Sequence, residues 1–183
     1  MNQSNKPGKR ALPDNPPWGE ITEWMEATET ISAAMTQRGR FRALRAAASE
    51  IARLYEAIFP VMDYFCESIC VTCPSPCCVT AKPWFDFKDL LFFAAAEIPN
   101  PRHQTIASTD EVCAYLGPAG CTLPRIQRPF ICTWYICHMW KEGWRQSKLP
   151  PKFMFFPEFE ACISLIKEKR IRLENDFVKA VFP

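Results

Sequence analysis

The stretch from Cys66 to Cys78, CESICVTCPSPCC, sets five thiols in thirteen positions. No other feature of the chain restricts its fold as strongly. Thiols this dense in loop sequence oxidise readily unless something binds them. The chain carries ten cysteines in all. Its first seventeen residues, MNQSNKPGKRALPDNPP, are polar and Pro-rich and lack the apolar core of a secretory signal. The strongest apolar run, Leu90 to Ile98, is too short to span a bilayer. The expectation is therefore a soluble, cytoplasmic protein. A reducing compartment disfavours disulfides, which leaves metal binding or redox chemistry as the use of the thiols. Extracellular disulfides are the competing reading.

With 183 residues and 48% hydrophobic side chains, the chain can bury a core as one domain. Its 22 basic and 20 acidic residues nearly cancel, for a net charge of +2. That balance argues against a dedicated nucleic-acid or anionic-membrane binder. The implied partner is a metal ion, with room for an unidentified protein partner.

Residues 1–17 read as a disordered tail, and 18–183 as a single helical domain. Ile21, Trp24, Met25, Thr28, Ile31 and Met35 recur at helical spacing, and Gly39 ends that run. A second helix carries Phe41, Leu44, Ala48, Ile51, Leu54, Tyr55 and Ile58 on one face. Pro60 is expected to kink or stop it, with Val61, Met62 and Phe65 continuing the apolar face to Cys66. These two helices are expected to pack as an antiparallel hairpin. A third helix starts at an Asp86 N-cap and runs to Glu97. Residues 74–84 and 99–110 read as loops. Val112–Leu116 and Cys121–Leu123 flank GPAG and suggest a short β-hairpin. A last helix covers 158–182, with Phe159, Cys162, Leu165, Ile166, Leu173 and Phe177 as its apolar positions, and its EKRIRLEND stretch reads as a solvated face. The fold class is mainly α: a helical domain with an irregular, cysteine-rich metal-binding middle and one short β-hairpin.

Cys66 and Cys162 sit within helical patterns among apolar neighbours, so both are assigned to the core. Eight thiols remain: Cys70, Cys73, Cys77, Cys78, Cys113, Cys121, Cys132 and Cys137. Eight thiolates complete two tetrahedral sites, or hold one iron–sulfur cluster with the rest structural. Cys77 and Cys78 are adjacent, so their side chains diverge and can serve two different centres. His138, beside Cys137, is a weaker ligand candidate, and His103 is expected at the surface.

The order of these residues resembles the YkgJ-type cysteine-cluster family, described as a zinc- or iron-chelating domain. That signature runs C-x2-C-x2-C-C, then Cys-aromatic-Leu, then Gly-Cys, then Arg-Pro with closely spaced cysteines. The matching residues are Cys70, Cys73, Cys77 and Cys78; Cys113 with Tyr115-Leu116; Gly120-Cys121; and Arg128-Pro129 with Cys132 and Cys137. The likeness covers residues 66–138. Three residues rather than two separate Cys73 from Cys77, a departure from the family pattern. Some members resemble flagellin lysine methylases, an activity that likeness alone does not carry over. Arg128 reads as a cofactor-binding residue whose guanidinium offsets the charge of a thiolate-bound metal.

Cys66, Cys70 and Cys73 also show the C-x3-C-x2-C spacing of radical-SAM enzymes. Cys66 ends a helical pattern rather than following a barrel strand, and the chain is too short for such a barrel. Two function classes stay open. With zinc, four thiolates per metal make closed, structural sites in an interaction module. With iron or an iron–sulfur cluster, the same thiolates serve a redox protein or a modification enzyme, methylase-like or oxidoreductase, with Trp134, Tyr135, Trp140 and Trp144 as a surrounding aromatic shell.

Overall fold

A computed structural model describes residues 15–36, 41–146 and 154–182. The fold is mainly helical, with one two-stranded antiparallel ribbon. Among the described residues the seven α-helices are α1 (Ile21–Ala34), α2 (Arg42–Ser68), α3 (Cys77–Thr80), α4 (Phe87–Ala95), α5 (Ile131–Trp134), α6 (His138–Gln146) and α7 (Phe156–Val181). The ribbon joins β1 (Leu116–Gly117) to β2 (Gly120–Cys121). Two 3-10 turns, Cys70–Thr72 and Arg125–Gln127, fall inside the cysteine-rich middle. Among the described residues, no helix is long and apolar enough to cross a membrane.

The long helix α2 is the spine. Leu44, Ala48, Ile51, Tyr55, Ile58, Met62 and Phe65 recur every three or four residues and are all buried. That stripe meets α7, whose Phe159, Ile166, Leu173 and Phe177 are buried opposite it. Each such side chain contributes roughly 1.5–3 kcal/mol of burial. This packing explains why the helix continues past Pro60 rather than stopping there. Proline removes one backbone donor there, but Ile58, Val61, Met62 and Phe65 on either side stay in the core.

The expected α1–α2 hairpin is not the main packing; α1 lies chiefly against α4. The anchor is Trp24, 1% exposed, which stacks near Phe85 and donates its indole N–H to the Pro101 carbonyl at 3.0 Å. Gly39, expected to end α1, lies outside the described residues. So does the expected tail up to residue 14. Pro16 is buried, and the Pro17 carbonyl accepts a hydrogen bond from Gln104 Nε2 at 2.9 Å.

The Asp86 N-cap is present as a capping box. Asp86 Oδ1 accepts from the Asp89 N–H, and Asp89 Oδ2 accepts from the Asp86 N–H, each at 3.0 Å. α4 ends at Ala95 rather than at Glu97, which adopts a positive φ of 58°. The ribbon is also shorter than expected, because the backbone before it is engaged elsewhere. The Cys113 N–H reaches the Cys78 carbonyl at 3.4 Å, and the Ala114 N–H reaches the Thr105 carbonyl at 2.7 Å. Gly120 turns the ribbon at φ 104°, a conformation suited to glycine.

The EKRIRLEND stretch corrects the sequence reading. Its outer residues are solvated, but Arg170 is 2% exposed and Leu173 1%. Arg170 Nη2 bonds Asp89 Oδ1 at 2.7 Å, and its guanidinium lies 4.8 Å from the Phe130 ring centre. Leu165, expected on the buried face of α7, is exposed instead.

Candidate metal centre

Five elements carry most of the thiols toward one end of α2. α2 ends at Ser68, and its last turn carries Cys66. The 3-10 turn that follows presents Cys70, with Cys73 at its extended C-terminal end. α3 opens with Cys77 and Cys78. β2 carries Cys121, and α5 carries Cys132 with Cys137 just beyond it. The segment RPFICTWYICHMW folds as α5, a short extended link and the start of α6.

Cys77 and Cys78 point to two different neighbourhoods. Burial raises the Cys77 thiol, and so do the charges of Cys137, then Cys66 and Cys73. Burial pushes the Cys78 thiol up to about 12, with added pressure from Cys77, Cys113 and Cys121. Cys132 rises well above an ordinary thiol, first from burial and then from Cys78, Cys121 and Cys113. Cys113 rises from burial and from Cys121. By these influences Cys66, Cys70, Cys73, Cys77 and Cys137 form a first group and Cys78, Cys113, Cys121 and Cys132 a second, with Cys77 and Cys78 linking the two. All are free cysteines. Among the described residues, no three His, Cys, Asp or Glu side chains stand close enough to hold one ion as placed.

Cys66 is half-buried and packs against the core, and it also faces another thiol. Its Sγ lies 3.9 Å from Cys70 Sγ. The Cys70 hydrogen bond draws the Cys66 thiol down to about 6, aided by Arg125 and Arg128, while Cys70 itself is raised. Cys70 also receives the Trp140 indole N–H at 3.4 Å. Trp140 and Trp144 pack on Phe65, with ring centres 5.2 and 4.9 Å away. Trp134 and Tyr135 are exposed and form no part of that wall. Gly143 allows the close approach of α6, since a Cβ there would stand 2.6 Å from Ile69 Cδ1.

Two arginines serve the thiols. Arg128 donates from Nε to the Leu123 carbonyl at 3.1 Å, and its charge pulls down both Cys66 and Cys78. Arg125, which the sequence reading passed over, lies against the Cys66 thiol and is held by Asp63 Oδ1 at 2.5 Å. Its signal was available: Arg125 sits three residues before Arg128, on the 3-10 turn that leads to it.

A buried brace supports the second group. Asp89 Oδ1 accepts from Arg170 and, at 3.0 Å, from the Phe130 N–H, two residues before Cys132. Cys162 is remote from both groups and points its thiol at the Leu54 carbonyl, 3.6 Å away. His138 is exposed at the start of α6. His103 is half-buried, stacked on Tyr115 with ring centres 4.7 Å apart, rather than free at the surface.

No protein-family model matches the chain, and no curated protein and no solved structure matches it either.

Proposed function

We propose that this protein binds metal through two thiolate centres, and that the metal mainly holds the irregular middle of the fold together. The first centre draws on Cys70, Cys73, Cys77 and Cys137, and the second on Cys78, Cys113, Cys121 and Cys132. The observation that carries the reading is the divergence of Cys77 and Cys78 from one turn of helix into separate thiol groups. Thiol-only donor sets suit zinc or iron. Four thiolates per metal leave no open coordination position, and such closed sites are structural. The resemblance to the YkgJ-type cysteine-cluster family supports the same donors. Arg128, whose charge acts on both groups, offsets the negative charge of the loaded centres.

The second reading is an iron–sulfur redox protein or modification enzyme. The Trp140 N–H aimed at Cys70 favours it, since donors to sulfur tune cluster potentials.

Elemental analysis and a visible spectrum of protein purified without oxygen test both readings. About two zinc per colourless chain, with a large loss of thermal stability on chelation, is the expected result. A brown protein with several irons and acid-labile sulfide moves the assignment to the redox reading. Metal-free protein with unchanged stability would sink both.

A further inference from the structure

The two-centre reading leaves Cys66 without a role, because its sequence context is that of a core residue. We propose that Cys66 is itself a metal ligand of the first centre, joining Cys70 and Cys77 around a thiophilic divalent cation such as zinc. This inference rests on the two-centre reading and deepens it.

The geometry of the pair carries the argument. Four sulfurs on a tetrahedral zinc with metal–sulfur bonds of about 2.3 Å lie about 3.8 Å from one another. Cys66 Sγ and Cys70 Sγ stand 3.9 Å apart. That spacing is set by the last turn of α2 and the 3-10 turn continuing it, not by loops that must first close. One edge of the coordination tetrahedron is therefore present before any metal arrives. The backbone holds it in place: the Ile69 N–H bonds the Phe65 carbonyl at 2.8 Å, and Phe65 is buried against Trp140 and Trp144.

The charges around the pair agree. A zinc ion with four thiolates carries a net charge of −2. Arg125, whose side chain is 8% exposed, lies against Cys66 and is oriented by Asp63. Arg128 adds a second positive charge on the same side. The Trp140 indole supplies a donor to Cys70, the other end of the edge. A buried cation, a fixed N–H donor and a pre-set sulfur pair are the surroundings a loaded thiolate site requires. A core thiol needs none of them.

Cys66 brings the first group to five thiols for four places. Cys66 takes the place that the two-centre reading gave to Cys73. Cys73 follows the 3-10 turn on extended backbone, outside the helical turns that set the Cys66–Cys70 spacing.

Two measurements on the full chain test the proposal. In the first, wild-type protein with and without zinc is treated with N-ethylmaleimide, and each cysteine is followed by tandem mass spectrometry. Zinc is expected to slow alkylation of Cys66 at least about tenfold together with Cys70 and Cys77, and to leave Cys162 unchanged. Cys66 reacting equally fast with and without zinc, while Cys70 and Cys77 are protected, overturns the proposal and leaves the two-centre reading standing. No protection at any thiol overturns both. The second measurement separates ligation from simple burial. Cobalt-loaded Cys66→Ser is expected to lose about one thiolate's share of the sulfur-to-cobalt charge-transfer band, with Cys162→Ser as the unaffected control. An unchanged band in Cys66→Ser, in protein whose circular dichroism matches wild type, overturns the proposal even if Cys66 is protected by zinc.

Discussion

Replacing Arg170 by methionine should be among the most damaging single changes in this protein. The Arg170 and Asp89 side chains are 2% and 4% exposed, and Arg170 Nη2 sits 2.7 Å from Asp89 Oδ1. Methionine fills much of the same volume but leaves Asp89 charged in the core. Breaking one side of a buried pair costs about 3–5 kcal/mol, a large part of the roughly 5–15 kcal/mol that a domain has in total. With a urea dependence of about 2 kcal/mol per molar, the unfolding midpoint should fall by roughly 2 M. Two guanidinium nitrogens, Nε and Nη1, are buried without a hydrogen-bond partner. The intact pair is therefore a modest net stabiliser, and the damage lies in stranding Asp89. Removing that charge should repair it. Asp89→Asn combined with Arg170→Met is expected to recover more than half of the loss.

The pH dependence has a definite sign. Burial already pushes the Asp89 carboxyl up to about 6, against the pull of Arg170. Without Arg170 it rises further. A carboxyl raised above its unfolded value of about 3.9 penalises the folded state fully above the folded value, and not at all below the unfolded one. Wild type shares that penalty up to about pH 6, so the extra Arg170→Met deficit should grow above pH 6 and shrink to its pH-independent part below it. Urea titrations of the three variants at pH 8 and pH 5 measure it. A deficit that is small, insensitive to pH and not relieved by Asp89→Asn would refute Arg170 as the counter-charge. Arg172→Met is the control: its partner Glu168 is as exposed as it is, and no resolvable shift is expected.

Zinc affinity should fall as pH is lowered, because Cys78, held up at about 12, and Cys132 must each release a proton to bind as thiolate. Competition with a chromophoric chelator at pH 6, 7 and 8 should show weakening of more than tenfold per unit if more than one proton leaves; a flat profile would count against these ligands. Gly143→Val should destabilise the protein by about 1–3 kcal/mol and alter Trp144 fluorescence, since the new side chain meets Ile69 Cδ1. Wild-type stability in Gly143→Val would mean that α6 does not pack closely on the end of α2.

The helices were legible because their causes are local. The stripe from Leu44 to Phe65, the Asp86 cap and the apolar positions of α7 can be read from spacing and residue type alone. Ten thiols in an otherwise ordinary composition marked the middle of the chain as the chemical part. The adjacency of Cys77 and Cys78 suggested two neighbourhoods before any fold was known. What spacing could not supply is which distant residues meet. Pro60 looks like a helix stop, yet the core on both sides of it carries α2 through. Arg170 lies in a charged run that looks solvated, and only the approach of α4 makes it a buried partner of Asp89. Cys66 shares its apolar neighbours with a core residue. It becomes part of the thiol group only because α2 ends two residues later, at Ser68, and the chain later returns with Arg125. Backbone periodicity and capping act over a few residues, so the sequence determined the helices and the kind of chemistry. Charge compensation and the pairing of thiols act through space across long separations, so only the tertiary structure decided which residues make the site.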